Sequence, residues 1–401
     1  MIDIPHSQDS RLRRMLGMGN PGSPASFPPP YKRMVALSSD VEFTSWDTQL
    51  ALIRRFERAG LETSFSYWLF RGPDPTWHVF NDDLQWTPEG RRALPLLRAG
   101  ALDAHHAYGV RLQGAPVTRE NIRRGLGLLQ DEGVSSPIFS NHGSKAEIQN
   151  VGGAWSDDHP YANYGQGDLP DSDAYHLDLT LAHGSRFFWT DIDIAEQVNL
   201  SLDETNPFLE TQLSRDGNRI IRFKRSAAGG DPSQTGLAAQ IRAVLESTAP
   251  GFSVVYTHLG LSRCEQPFTP ATPPHFTPQG SEALDELAQA QARGEILVTS
   301  LARLLDFALL MRARPWRLHN IGPLLVASFS KILEYEGVKM PLSWETLEGW
   351  AIPLGPGRTP YAVLGGQVRR MSVFEAGGVR WAGFPWKRRS YEKPLEEASG
   401  G

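Results

Sequence analysis

Two carboxylates stand two residues apart at the end of an apolar run: Val35 to Trp46 reads VALSSDVEFTSW, with Asp40 and Glu42 closing a segment otherwise suited to a buried strand. Side chains at i and i+2 of a strand point to the same side. Both acids therefore face one volume, where their charges repel. A cation between them would remove that repulsion, and an acid left uncoordinated would accept a proton from a water bound to the ion. The plainer role for such a pair is to cap the helix that follows, because a helix N-terminus favours negative charge.

Three later apolar segments end in imidazoles: ALDAHHAYG carries His105 and His106, IFSNHG carries His142, and VVYTHLG carries His258. In parallel α/β folds, reactive groups collect at the carboxyl ends of strands, where the loops line one mouth. Two acids and four of the 11 histidines thus fall at expected strand ends. Strand propensity does not account for this, since Asp and Glu are depleted in strands. Imidazole and carboxylate together suit Zn²⁺ or a similar divalent ion. Any one strand-end histidine is equally at home as a hydrogen-bonded structural residue.

Around this set lie groups suited to a sugar. The chain has 11 Trp, many beside Gly, Pro, Asp or Asn, and exposed aromatic faces are what sugar rings stack on; core packing is the competing use. Trp46, Trp68, Tyr108, Trp155 and Trp189 are the candidates by position, and Asn141 would hold a sugar hydroxyl or orient the His142 imidazole. Asp191, in TDIDIAEQ, would contact substrate or cap a helix. GPGRTP and GLGLL lack phosphate-loop spacing, which argues against nucleotide binding.

The 401 residues are 40% hydrophobic, enough for two or three domains. Forty Lys plus Arg against 45 Asp plus Glu give a charge of −5, which favours neither nucleic acid nor anionic lipid as a partner. Cys264 is the single cysteine, so an internal disulfide and a four-thiolate zinc site are excluded. There is no apolar run of about 18 residues that would span a bilayer, and MIDIPHSQDSRLRR lacks the apolar centre of an export signal. A cytoplasmic location is expected.

Strand-like and helix-like segments alternate from Met34 onward, which favours a parallel sheet or barrel. Strands are expected at MVALSS, TSFSYWLF, GALDAHH, SPIFSNHG, SRFFWTD, NRIIRFK and GFSVVYTHLG. Helices are expected at Thr48–Ala59, at TPEGRRALPLLRAG with a kink at Pro95, at the segment capped by Thr118, at YHLDLTLAHG and at TGLAAQIRAVLEST, with one long helix or a pair over Ser281–Ala313. Four regions follow: an extended Pro/Gly/Ser-rich arm over 1–33, an α/β catalytic domain over 34–313, a β-rich module over 314–390 and a frayed tail over 391–401.

In motif order, SSDVE, DAHHAYG and VVYTHLG resemble the polysaccharide deacetylase superfamily, the NodB-like carbohydrate esterases. The likeness spans about Met34 to Ala313. It implies a distorted (β/α)7-type barrel, here followed by a C-terminal antiparallel β module. It also implies a metal-dependent hydrolase that removes acetyl from an N- or O-acetylated sugar during polysaccharide biosynthesis or modification. Carried over by position, Asp40 is the general base and Glu42 a metal ligand, or the reverse. His106 or His105 is a ligand and His258 the general acid. The family's two histidines four apart are absent, since Gly109 and Val110 stand there, and His142 is taken from its strand position as the replacement ligand. The ion is expected to be Zn, with Co, Ni or Fe as alternatives. Competing readings are a glycoside hydrolase with paired carboxylates and a non-catalytic carbohydrate-binding protein on the same scaffold.

Overall fold

The computed structural model describes residues 23–41, 44–72, 76–110, 112, 115–142, 148–152, 165–190, 194–195, 198–202, 207–226, 236–259, 268–269, 275–276 and 278–399, with backbone alone for 194–195, 268–269 and 275–276. The chain divides into two compact units, one of Arg33–Leu305 with Arg388–Gly401, the other of Met1–Lys32 with Asp306–Lys387.

In the first unit the alternation expected from the sequence is present. The strands are β1 (Arg33–Ser39), β2 (Ser64–Tyr67), β3 (Leu102–His106), β4 (Ile138–Ser140), β5 (Phe187–Trp189), β6 (Ile194–Ala195), β7 (Leu209–Leu213), β8 (Arg219–Phe223), β9 (Arg225–Ser226), β10 (Gly251–Thr257), β11 (Phe268–Thr269), β12 (His275–Phe276) and β13 (Ile296–Val298). The helices are α1 (Trp46–Arg58), α2 (Pro88–Ala99), α3 (Arg119–Asp131), α4 (Leu177–Ala182), α5 (Leu237–Glu246), α6 (Pro278–Ala292), α7 (Leu301–Ala313) and α8 (Glu392–Ser399). The boundary between the units falls within α7.

Local chemistry explains where these helices start and stop. Ser45 caps α1 through Thr48 N–H, and Thr87 caps α2 through Gly90 N–H ahead of Pro88 at the first position. Thr118 and Asn121 form a reciprocal capping box on α3. α2 ends on Gly100 with φ 74°, a left-handed conformation that a Cβ would strain. α2 runs through Pro95 unbroken. The Ser281–Ala313 region divides into α6 and α7 with β13 between them, because the β-branched run ILV suits a strand. No helix among the described residues is long and apolar enough to cross a membrane.

The main sheet has the order β10-β1-β2-β3-β4-β5-β8-β7, with β13 beside β1. The expected barrel is not what forms. Pairing is parallel from β10 to β8, after which β7 and β8 make an antiparallel hairpin and β7 ends the sheet. The turn that produces it holds Asp216 and Gly217, the latter at φ 84°. A hairpin returns the chain antiparallel, whereas another parallel strand needs a helical crossover. The approach of β9 to β10 is made through a side chain, with Ser226 Oγ accepting from Val254 N–H at 3.0 Å.

Alternation sorts the sheet into two faces. Val35, Leu37, Phe65, Phe139, Phe188 and Val255 join one apolar core with Ile53 and Phe56 of α1, Leu96 of α2, Leu129 of α3 and Leu287 of α6. The alternate positions Met34, Ala36, Ala104 and Val254 are buried on the other face. The segment expected to fray contains α8, which packs on α2 and α1 and buries Tyr391, Leu395 and Ala398.

The second unit is β-rich, as expected, but its main sheet is mixed rather than antiparallel. The strands are β14 (Trp316–Ile321), β15 (Leu324–Phe329), β16 (Ile332–Tyr335), β17 (Val338–Pro341), β18 (Ala351–Pro353), β19 (Thr359–Leu364), β20 (Gln367–Arg370), β21 (Ser372–Ala376) and β22 (Val379–Gly383). In the sheet β14-β15-β19-β20 the central pair β15–β19 is parallel, because β16 to β18 intervene in sequence. Trp350 is the anchor of its core, with the Phe329 ring at 5.0 Å and the Trp316 ring at 5.8 Å.

Candidate functional site

The carboxyl ends of β1, β3, β4, β5 and β10 bring a polar cluster together on the sheet face opposite the apolar core. Asp40, one residue past β1, extends the ladder by donating its N–H to Thr257 C=O at 3.1 Å. The loops beyond are tied: Ser39 Oγ accepts from Leu259 N–H at 3.0 Å, and Thr44 Oγ1 donates to Leu259 C=O at 3.1 Å. Asp40 is 2% exposed. Its Oδ1 lies 3.7 Å from His106 Nδ1 and its Oδ2 lies 3.6 Å from Arg225 Nη2. Oδ2 accepts no hydrogen bond among the described residues.

Arg225, on β9, answers the question posed by a buried strand-end acid: its guanidinium is the positive charge beside Asp40. It is clamped between aromatic faces, with its central carbon 3.4 Å from the Trp189 ring centre and 3.8 Å from that of Tyr256. Nη2 donates to Ser140 Oγ at 3.2 Å. The Tyr256 hydroxyl is hydrogen-bonded to His258 Nε2 at 2.8 Å. His106 packs edge-on against Trp68, ring centres 4.8 Å apart, and His142 lies 5.2 Å from both rings.

Asp40, His106, His142, Trp68, Trp189 and His258 therefore occupy this edge of the sheet. His105 does not join them. As alternation requires, it points to the other face, where it is fully buried among Tyr67, Tyr108 and His183 at ring distances of 4.9, 5.1 and 5.6 Å. Burial holds its pKa well below the ordinary imidazole value. Tyr108 belongs to that second cluster as well, its hydroxyl bonded to Thr180 Oγ1 at 2.7 Å. The Asn141 amide bonds the backbone of Val151, donating to its C=O at 2.8 Å and accepting from its N–H at 2.9 Å. Trp46 is buried against Trp77, ring centres 4.9 Å apart. It lines a cavity of about 310 Å³ with Ser45, Thr76, His78, Glu89 and Arg92. Glu42, Trp155 and Asp191 lie outside the described residues.

The donor set tests the expected metal. Among the described residues, no three His, Cys, Asp or Glu side chains converge so as to hold an ion. His105 faces away, and Arg225 sits at one oxygen of Asp40, where its fixed charge competes with a divalent cation. Among the described residues the ligand set is therefore incomplete, and Glu42 lies outside them.

Arg225, Ser140 and Tyr256 were not anticipated from the sequence. The signal was present in NRIIRFKRS, an apolar strand closed by cations, but an arginine there reads as solvated surface until the fold turns it inward. No family model, curated protein or solved structure matches this chain.

Proposed function

We propose that this protein is a hydrolase that removes an acyl group, acetyl in the simplest case, from a sugar. The observation that carries the reading is Asp40, a buried carboxylate at the carboxyl ends of parallel strands, set between an imidazole and a guanidinium with a lone-pair-bearing oxygen unspent. The motif likeness to carbohydrate deacetylases supports the choice of bond.

Separations of 3.6 and 3.7 Å from Asp40 exceed direct hydrogen bonds and suit contacts completed by water or substrate. Asp40 accepts the proton of the attacking water as the general base. His106 orients that water. His258, held at Nε2 by Tyr256, supplies the proton to the leaving oxygen or nitrogen. Trp68 and Trp189 wall the centre, and the cavity beside Trp46 offers Asp47, Glu89, His78 and Arg92 to the hydroxyls of a neighbouring sugar unit.

The test is acetate release from a panel of N- and O-acetylated mono- and oligosaccharides. Release by wild type with a loss of about 10²–10⁴-fold in His258→Ala, the usual range for a general acid–base group, supports the reading. New reducing ends without acetate would favour a glycosidase instead. Sugar binding without either product would favour a binding protein.

A further inference from the structure

We propose that Arg225 is itself a catalytic residue of this hydrolysis, the group that takes the negative charge developing on the acyl oxygen. The inference rests on the hydrolase reading above and adds to it a group that stabilises the oxyanion. Arg225 is 1% exposed, and its planar group is fixed between Trp189 and Tyr256. One nitrogen, Nη2, serves Ser140 and faces Asp40. The other two, Nε and Nη1, are buried and donate to nothing among the described residues. Among the described residues, three N–H bonds of a permanently charged, buried side chain are thus without an acceptor.

An arginine kept for structure spends its donors. Arg215 in the same unit places Nε and Nη2 on Asp168 and a further bond on Gly165 C=O. The unspent donors of Arg225 are those of a group waiting for an oxygen that is more negative in the transition state than in any resting partner.

Charge conservation at the centre points the same way. At rest Asp40 and Arg225 form a neutral couple. When water attacks, its oxygen bonds to the acyl carbon, the carbonyl π pair moves onto the acyl oxygen and the water's proton passes to Asp40. The negative charge moves from one neighbour of Arg225 to another, so the buried site stays neutral throughout. As the acyl oxygen regains its double bond, the bond to the sugar breaks. Its electron pair leaves on the sugar atom, which receives the proton through His258, giving the carboxylic acid and the sugar hydroxyl or amine.

The experiment uses the full chain and whichever acetylated sugar wild type hydrolyses. Arg225→Gln is expected to lower kcat by about 10²–10³-fold, the range for losing one oxyanion donor, with KM changed little because the interaction belongs to the transition state. Arg225→Gly, which opens a slot between the two aromatic faces, is expected to regain activity on addition of millimolar guanidinium, whereas Asp40→Asn is not. Should Arg225→Gly fail to fold, Arg225→Lys keeps the charge without the fork and is expected to retain the wild-type melting profile with a kcat between those of wild type and Arg225→Gln. A loss confined to KM, an unchanged kcat, or a folded Arg225→Gly that guanidinium does not restore would overturn the proposal while leaving the hydrolase reading intact. Absence of acetate release by wild type itself would overturn both.

Discussion

The first unit contains two buried pairings of a carboxylate with an arginine, and they are built to opposite standards. At the amino ends of β2 and β3, Glu62 is fully buried and saturated: it accepts from Arg303, from Thr299 Oγ1 at 3.0 Å, from Ser300 N–H at 3.2 Å and from Arg389 N–H at 2.7 Å. Beside it Asp103 accepts from Ser64 Oγ at 2.8 Å and from Ala302 N–H at 3.1 Å, so the two acids receive the exposed donors at the start of α7. At the carboxyl ends, Asp40 and Arg225 stand 3.6 Å apart with an oxygen and two nitrogens unspent. Burial is the same in both pairs and satisfaction is not, although Asp103 Oδ1 beside Glu62 also accepts no bond among the described residues. A saturated buried pair anchors the chain, since breaking it leaves a charge with no partner. An unsaturated one is a cost that stability alone does not explain, and it marks the edge of the sheet to which the proposed chemistry is assigned.

The sharpest way to break this contrast is to strip the saturated pair. Glu62→Ala removes the buried carboxylate on which Arg303, Thr299, Ser300 and Arg389 converge, and should cost about 3–5 kcal/mol in chemical denaturation, while the folded fraction keeps full activity per molecule. An equal loss of specific activity would erase the distinction between the two ends.

Asp103 offers a pH test of the same cluster. Burial pushes its carboxyl up to about 7, against hydrogen bonds that lower it. A carboxyl whose pKa is higher folded than unfolded favours the native state in its protonated form. Its contribution is therefore complete below pH 4 and is lost as pH rises toward 7. Asp103→Asn should gain on wild type across that window by about 1.4 kcal/mol per pH unit, measured as the difference between two urea midpoint series. Taking the difference matters, because His176 and His183, each held by burial near 4, carry the opposite slope below their ordinary value of 6.5 in both proteins. A pH-independent difference would show that Asp103 does not titrate as its burial implies.

Neighbouring histidines sharpen the comparison at smaller scale. Among the described residues neither ring nitrogen of His105 has a hydrogen-bond partner, and it sits among aromatic rings, so His105→Phe should change stability by less than about 1.5 kcal/mol, as a near-isosteric core swap does, and leave activity alone. The same substitution at His106 should abolish most activity. Smallest is Thr118→Ala, which removes a capping box on α3 remote from both assemblies and should cost about 1 kcal/mol with no effect on turnover.

The sequence made the site more legible than the fold. Asp40, His106, His142 and His258 were found by one rule, that polar residues closing apolar runs meet at the carboxyl edge of a parallel sheet, and the structure gathers them there. Alternation already implied that His105 and His106 could not share a face. What escaped depended on long-range packing. Arg225 is indistinguishable from a surface arginine until β9 is carried to β10, and Glu62 precedes its strand rather than closing it. The barrel expectation failed at SRDGN, where Asp216 and Gly217 turn the chain back on itself and stop the parallel series. The appended module was recognised from its short Gly- and Pro-punctuated segments, but the parallel β15–β19 pairing joins strands some thirty residues apart, beyond what local pattern reports.

The most direct test of the central claim is Asp40→Asn, read for acetate release and for unfolding free energy on the same preparation. The account predicts that release falls by about 10²–10⁴-fold while stability falls by less than in Glu62→Ala, because Asp40 and Arg225, 3.6 Å apart, share no direct hydrogen bond whose loss adds to that of the neighbouring charge. Full activity, or a stability loss as large as that of Glu62→Ala, would contradict it and make Asp40 one more structural acid.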